Sequence, residues 1–155
     1  MDVFSRTFLP ASAEAGIPIP TVSRHMPVFR RCVDIDDPTV LVARCLRPDR
    51  PLHGEHLLLL TRRRFVVTHE TRVLKRLRLH LNSPVGELDN VVWAPDPRLA
   101  AIEIAATAGD GVRERFWIKL GHPDRVWHVD ALLGHVFRPA PPRRAPAPAP
   151  IRRAA

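Results

Sequence analysis

The chain is 155 residues long, 45% of them hydrophobic, and carries a formal net charge of +8. That is room for one domain with a real core and short extensions, and it excludes wholesale disorder. The basic excess points to acidic partners: nucleic acid, an anionic membrane surface or an acidic protein face. Cys32 and Cys45, the only two cysteines, exclude a disulfide framework. No apolar run approaches the ~18 residues of a membrane-spanning helix, and no charged-then-apolar leader precedes the domain. The expectation is a cytoplasmic protein with free thiols.

Pro10, Pro18 and Pro20 interrupt residues 1–24, which read as a flexible N-terminal arm whose Phe4, Phe8 and Leu9 follow no period. A folded domain is expected over 25–138. In its opening stretch Asp37-Pro38 suits a helix cap and first turn, whereas Thr39-Val40-Leu41-Val42 is strand-like; a short helix or strand packed on the main sheet is predicted. The four leucines within His56–Thr61 read as a buried strand. Phe65–Thr68 is the next strand, with a tight connection at His69-Glu70-Thr71. Leu77, Leu79 and Leu81 then alternate with Arg76, Arg78 and His80, one face apolar and the other cationic.

Pro84 ends that strand. Val91–Trp93, Leu99–Thr107 and Arg113–Leu120 are further strands, the last two joined through the hairpin residues Gly109-Asp110-Gly111. Pro123 and Asp124 open a helix whose apolar stripe is Val126, Val129, Leu133 and Val136, widened by Leu132 and Phe137. Residues 139–155, rich in Pro, Ala and Arg, read as a disordered tail. The predicted fold class is mainly β with one C-terminal helix, a curved antiparallel sheet or partly closed barrel.

The string Leu57–Thr68, a leucine-rich strand, Thr61, the basic turn Arg62-Arg63-Arg64 and the apolar strand Phe65–Thr68, resembles the opening of a bacterial pleckstrin-homology-like (PH-like) domain. The Gly-Asp-Gly hairpin and the helix after Pro123-Asp124 fit the same plan, so the resemblance spans residues 54–137. It implies a curved, roughly seven-stranded barrel-like sheet capped by a helix, with a binding role and no enzyme activity. Eukaryotic pleckstrin-homology domains use a basic early loop to read phosphoinositide headgroups, so the resemblance also makes an anionic ligand conceivable.

Residues 55–80 concentrate seven cations, Arg62, Arg63, Arg64, Arg72, Lys75, Arg76 and Arg78, against Glu55 and Glu70. Hairpin pairing is expected to set the Arg62–Arg64 turn and the cationic face of 76–80 on neighbouring strands, forming the contact surface for an anionic ligand or a partner. Lys75 and Lys119 are the only lysines; codon bias explains the arginine usage as well as selection for bidentate phosphate contacts does. Trp117, on the charged side of its strand, and Trp127, off the apolar stripe of its helix, are a candidate aromatic interface for a partner protein.

No phosphate loop, dinucleotide fingerprint, nucleophile elbow or His-Glu-x-x-His occurs, so no enzyme activity, cofactor or metal is expected. His128 and His135 are separated by about 10.5 Å of helical rise, too far to share an ion, and His53 and His56 have no second ligand pair. The reading is a non-catalytic binding module, a protein–protein adaptor with a basic surface for anionic contacts. The alternative is a nucleic-acid accessory protein that adds the arginines of the tail to the same patch.

Overall fold

The computed structural model describes residues 1–71 and 73–138. Two helices, α1 (Val3–Glu14) and α2 (Ile19–Cys32), precede seven strands: β1 (Thr39–Leu46), β2 (His56–Thr61), β3 (Arg64–Glu70), β4 (Leu77–Pro84), β5 (Asp89–Asp96), β6 (Ala101–Thr107) and β7 (Arg113–Lys119). Helix α3 (Pro123–Phe137) follows. The strands form one antiparallel sheet in the order β4-β3-β2-β1-β7-β6-β5. β4 and β7 are four places apart, which in a flat sheet would be about 19 Å. Yet His80 on β4 lies 3.1 Å from Glu114 on β7. The sheet therefore curls on itself without β4 and β5 pairing, a mainly β arrangement with a helix at its C-terminal end.

The curl encloses the main core. Leu58, Leu60, Phe65, Val67, Ile102, Ile104, Phe116 and Ile118 point inward and meet Val126, Val129 and Leu133 of α3. Pro123 occupies the first helical position and the His122 ring accepts from the Asp124 amide at 3.1 Å, so the predicted helix start holds. Trp93 of β5 donates to Asp130 at 2.8 Å and ties the last strand pair to the helix.

A second core lies outside the sheet, where Phe4, Phe8, Val22 and Phe29 pack on Val42, Leu57, Leu59 and Val66. Residues 1–24 are thus not the expected flexible arm. Asp2 caps α1 by accepting from the Ser5 amide at 2.7 Å, and Phe4 and Phe8, at i and i+4, share one face. Leu9 stays partly exposed. Pro10 and Pro27 lie inside the two helices but on their exposed sides, as do Arg6 and Ser23, whose carbonyls they leave free. Because both faces of the sheet are covered here, all six residues of β2 are buried.

Two further expectations change. The pairs Val67↔Leu81 and Thr68↔Leu79 leave His80 as the extra residue of a bulge. Leu81 therefore turns into the core while Leu79 faces out, and the three leucines do not share a face. Asp37 does not cap a helix. It is fully buried and accepts from the Thr61 hydroxyl at 2.6 Å, while Thr61 Oγ1 accepts from the Arg64 amide at 2.9 Å. The pair anchors the β2–β3 turn to the start of β1. No helix among the described residues is long and apolar enough to cross a membrane.

Candidate binding surface

The antiparallel register decides which of the predicted contact residues can act together. Arg64 pairs with Pro84 at one end of β3, and Glu70 with Leu77 at the other. The Arg62–Arg64 turn therefore stands about 20 Å from the β3–β4 loop, which carries Lys75 and Arg76 and leads into Arg78. The structure does not bring the six described cations, Arg62, Arg63, Arg64, Lys75, Arg76 and Arg78, into one surface. Arg63 is held by Asp34 and Asp36, each at 3.3 Å, and Arg64 leans on Asn82 at 3.4 Å. Arg62, Lys75, Arg76 and Arg78 have no ion-pair partner among the described residues. Arg72 and the tail arginines Arg143, Arg144, Arg152 and Arg153 lie outside the described residues.

What the structure sets beside Lys75 and Arg76 is the β1–β2 loop. Its 3-10 turn, Pro51–His53, ends at Gly54, whose φ of 85° is the left-handed conformation that glycine tolerates. The β3–β4 loop is closed by the Thr71 amide donating to the Arg76 carbonyl at 2.9 Å and the Arg76 amide donating to Thr71 Oγ1 at 3.1 Å. Both loops border one cavity of about 670 Å³, lined by Pro51 and Gly54 on one side and Thr71 and Lys75 on the other. Its acids are matched: Glu55 by Lys119 at 3.2 Å, and Glu70 by Arg24 at 3.1 Å. The loop tips carry the unmatched charge.

The tips are also aliphatic. Leu52 is 83% exposed, Val73 92% and Leu74 67%, beside the exposed Arg50, Lys75 and Arg76. Exposed aliphatic side chains of this size on two adjoining loops have no packing role in the fold. Sequence reasoning passed over Arg50, Leu52, Val73 and Leu74. The available signal was an aliphatic pair, Val73-Leu74, set inside a run of basic residues.

Four histidines sit at the base of the loops. His56 and His69 stack with ring centres 4.3 Å apart, His53 stacks on His69 at 6.4 Å, and His80 meets His56 edge-on at 5.5 Å. His69 Nε2 donates to the His53 carbonyl and so clasps the β1–β2 loop to β3. Burial, with the neighbouring His69 and His80, pushes His56 down to about 4. Among the described residues no group of three or more His, Cys, Asp or Glu side chains is placed to hold a metal ion.

The two tryptophans are not brought together. Trp117 shares the outer face of β7 with Arg115 and Lys119, whereas α3 packs on the inner face against Phe116 and Ile118. Trp127 is 57% exposed on the solvent side of α3.

No protein-family model matches the chain, and a search of curated proteins finds no match. Solved structures do resemble it. The DH/PH domains of PDZ-RhoGEF, in complex with GTP-γ-S-activated RhoA, superpose with a TM-score of 0.50 at 14% identity, over 84% of this chain and 37% of that one. This chain is PH-like in fold. A pleckstrin homology domain from Shewanella amazonensis SB2B has a TM-score of 0.46, also at 14% identity, over 77% of this chain and 97% of that one. The PH-like chain thus spans little more than a third of the length of the first of these proteins.

Proposed function

We propose that this PH-like domain is a non-catalytic binding module that docks on an anionic lipid surface through its β1–β2 and β3–β4 loops. The observation that carries the reading is the coincidence, on two adjoining loops, of exposed aliphatic tips and unpaired cations. In this reading Leu52, Val73 and Leu74 enter the interfacial region while Lys75, Arg76 and Arg50 meet headgroup phosphates. Each cation held near such a surface contributes about 1 kcal/mol, and the aliphatic tips add buried apolar area. Arg63 is left out of the surface because Asp34 and Asp36 already match it.

Co-sedimentation with phosphatidylserine-containing and pure phosphatidylcholine vesicles tests the reading. The full chain is expected to sediment with the former. Lys75→Glu/Arg76→Glu should weaken binding at least tenfold, at about 1 kcal/mol per lost contact with added repulsion. Val73→Ser/Leu74→Ser should weaken it without changing its salt dependence. Equal binding to neutral vesicles, or no loss in either variant, overturns the reading.

A protein–protein adaptor function is supported by a different feature, the groove described below, which lies away from these loops. A nucleic-acid accessory role draws little support. The cationic loops offer no aromatic platform beyond His53, and Trp93 already lies under Arg138, 4.3 Å from its ring.

A further inference from the structure

One face of α3 is left over once its core stripe is accounted for. Arg125, His128, Leu132 and His135, bordered by Val136, which packs in part on the core, follow one another at intervals of three, four and three, a single stripe beside the buried one. It faces the start of β1 across a trough formed by cavities of about 530 and 90 Å³, which share Val40 and Leu132. β7 pairs with β1 only over Arg44–Leu46, so the first half of β1 has a strand on its β2 side alone.

Three features of the trough point to the same kind of occupant. Its middle is apolar: Val40, Leu132 and Val136. Arg62 stands at one end with no acid beside it, and Arg125 at the other, where Glu14 of α1 also lines the trough; neither guanidinium has a carboxylate within ion-pair distance among the described residues. Finally, Arg125 Nε and Thr39 Oγ1 are enclosed without a hydrogen-bond partner among the described residues, a costly state for buried polar atoms. An arriving acceptor would relieve the first and an arriving amide or carbonyl the second.

We propose that this trough binds an extended acidic peptide of a partner protein, with an apolar side chain seated between two carboxylates. From Arg125 to Val136 the helix rises about 16 Å, the span of about five extended residues. The apolar side chain sits against Val40 and Leu132, and the carboxylates meet Arg125 and Arg62. The charge selects against the chain's own residues 139–155, which hold four arginines and no acid. Arg62 stands at the opposite end of β3 from the loops assigned to the lipid surface, so both ligands fit at once.

The probe is the pentapeptide Asp-Glu-Leu-Asp-Glu, blocked at both ends, titrated into the full chain by amide NMR and, with a fluorescent label, by anisotropy. Shifts are expected at Val40–Val42 and along Arg125–Val136. Arg62→Glu, an exposed turn substitution that spares the fold, should weaken binding about tenfold or more, the value of one charge-assisted hydrogen bond. Leu132→Ser and replacement of the peptide's leucine by serine should each weaken it as well. Lys75→Glu/Arg76→Glu should leave it unchanged, and Arg62→Glu should leave vesicle binding unchanged. Absence of shifts in the trough, shifts confined to the β3–β4 loop, or equal binding of Lys-Lys-Leu-Lys-Lys overturns the proposal.

Discussion

The outer face of the sheet has two halves with opposite fates. Over β1–β3 it is roofed by α1 and α2, and Val42, Leu57, Leu59 and Val66 lie beneath Phe4, Phe8 and Phe29. Over β5–β7 no helix among the described residues covers it: Val92 and Arg115 are exposed, and Glu103, Ala105 and Trp117 are half-buried. The sequence follows the cover. β2 is apolar without interruption because both of its faces are buried, whereas β7 alternates, with Phe116 and Ile118 inward and Arg115 and Lys119 outward. In this chain an unbroken aliphatic strand signals a second layer, and the N-terminal helices are that layer.

The contrast breaks most sharply under truncation of one aromatic. Phe29, fully buried beneath the roof, is expected to cost about 3–5 kcal/mol as Phe29→Ala. Val92→Ser on the bare half should cost no more than about 0.5 kcal/mol. Denaturant melts of both variants decide this; similar losses would mean that the roof is not integral to the fold.

Acid sharpens the same comparison by a middling amount. His25 on α2 is held down to about 4, chiefly by burial, with its Nδ1 2.7 Å from Thr68 Oγ1 beneath the roof. Below pH 6.5 the unfolded chain takes up a proton that folded His25 refuses. Stability should therefore fall as the pH drops from about 6.5 towards 4 and this contribution should level off below that. His25→Gln is expected to make the decline seen in thermal melts over this range shallower, leaving the part due to His56, which is held down to about 4 as well. An unchanged slope would mean that His25 is not buried between α2 and the sheet.

The smallest effect belongs to the rim of the covered half. Arg63 joins the α2–β1 connection to the β2–β3 turn through Asp34 and Asp36, all three side chains well exposed. Such pairs are screened by water and salt. Arg63→Ala should leave the melting temperature within error and should also leave vesicle binding intact.

Most of the inner architecture was legible in the residues. β2, β3, β6 and β7 follow from apolar runs and period-two patterns, and α3 from Pro123-Asp124 with its 3-4 stripe. The N-terminal helices were not, because Pro10, Pro18 and Pro20 outweighed the i, i+4 pair Phe4 and Phe8; prolines are tolerated where the freed carbonyl faces solvent. β4 misled in another way. Its alternation is clean on paper, and the bulge at His80 cancels it, a feature set by pairing with Thr68 and Val67. The basic cluster was legible as composition but not as geometry: the length and register of β3 separate Arg62 from Lys75. The α3 trough needed β1 in place before the second stripe of the helix could mean anything.

The doubly buried β2 has one more consequence. Before its layers assemble, His-Leu-Leu-Leu-Leu-Thr is a six-residue aliphatic segment with no Lys, Arg, Asp or Glu, the kind that stacks between chains into cross-β aggregates. Arg62-Arg63-Arg64 follow it at once and place three like charges wherever two such segments would align in register. Like charge placed directly after such a segment opposes its stacking between unfolded chains, and in the folded protein α1 and α2 cover the strand instead.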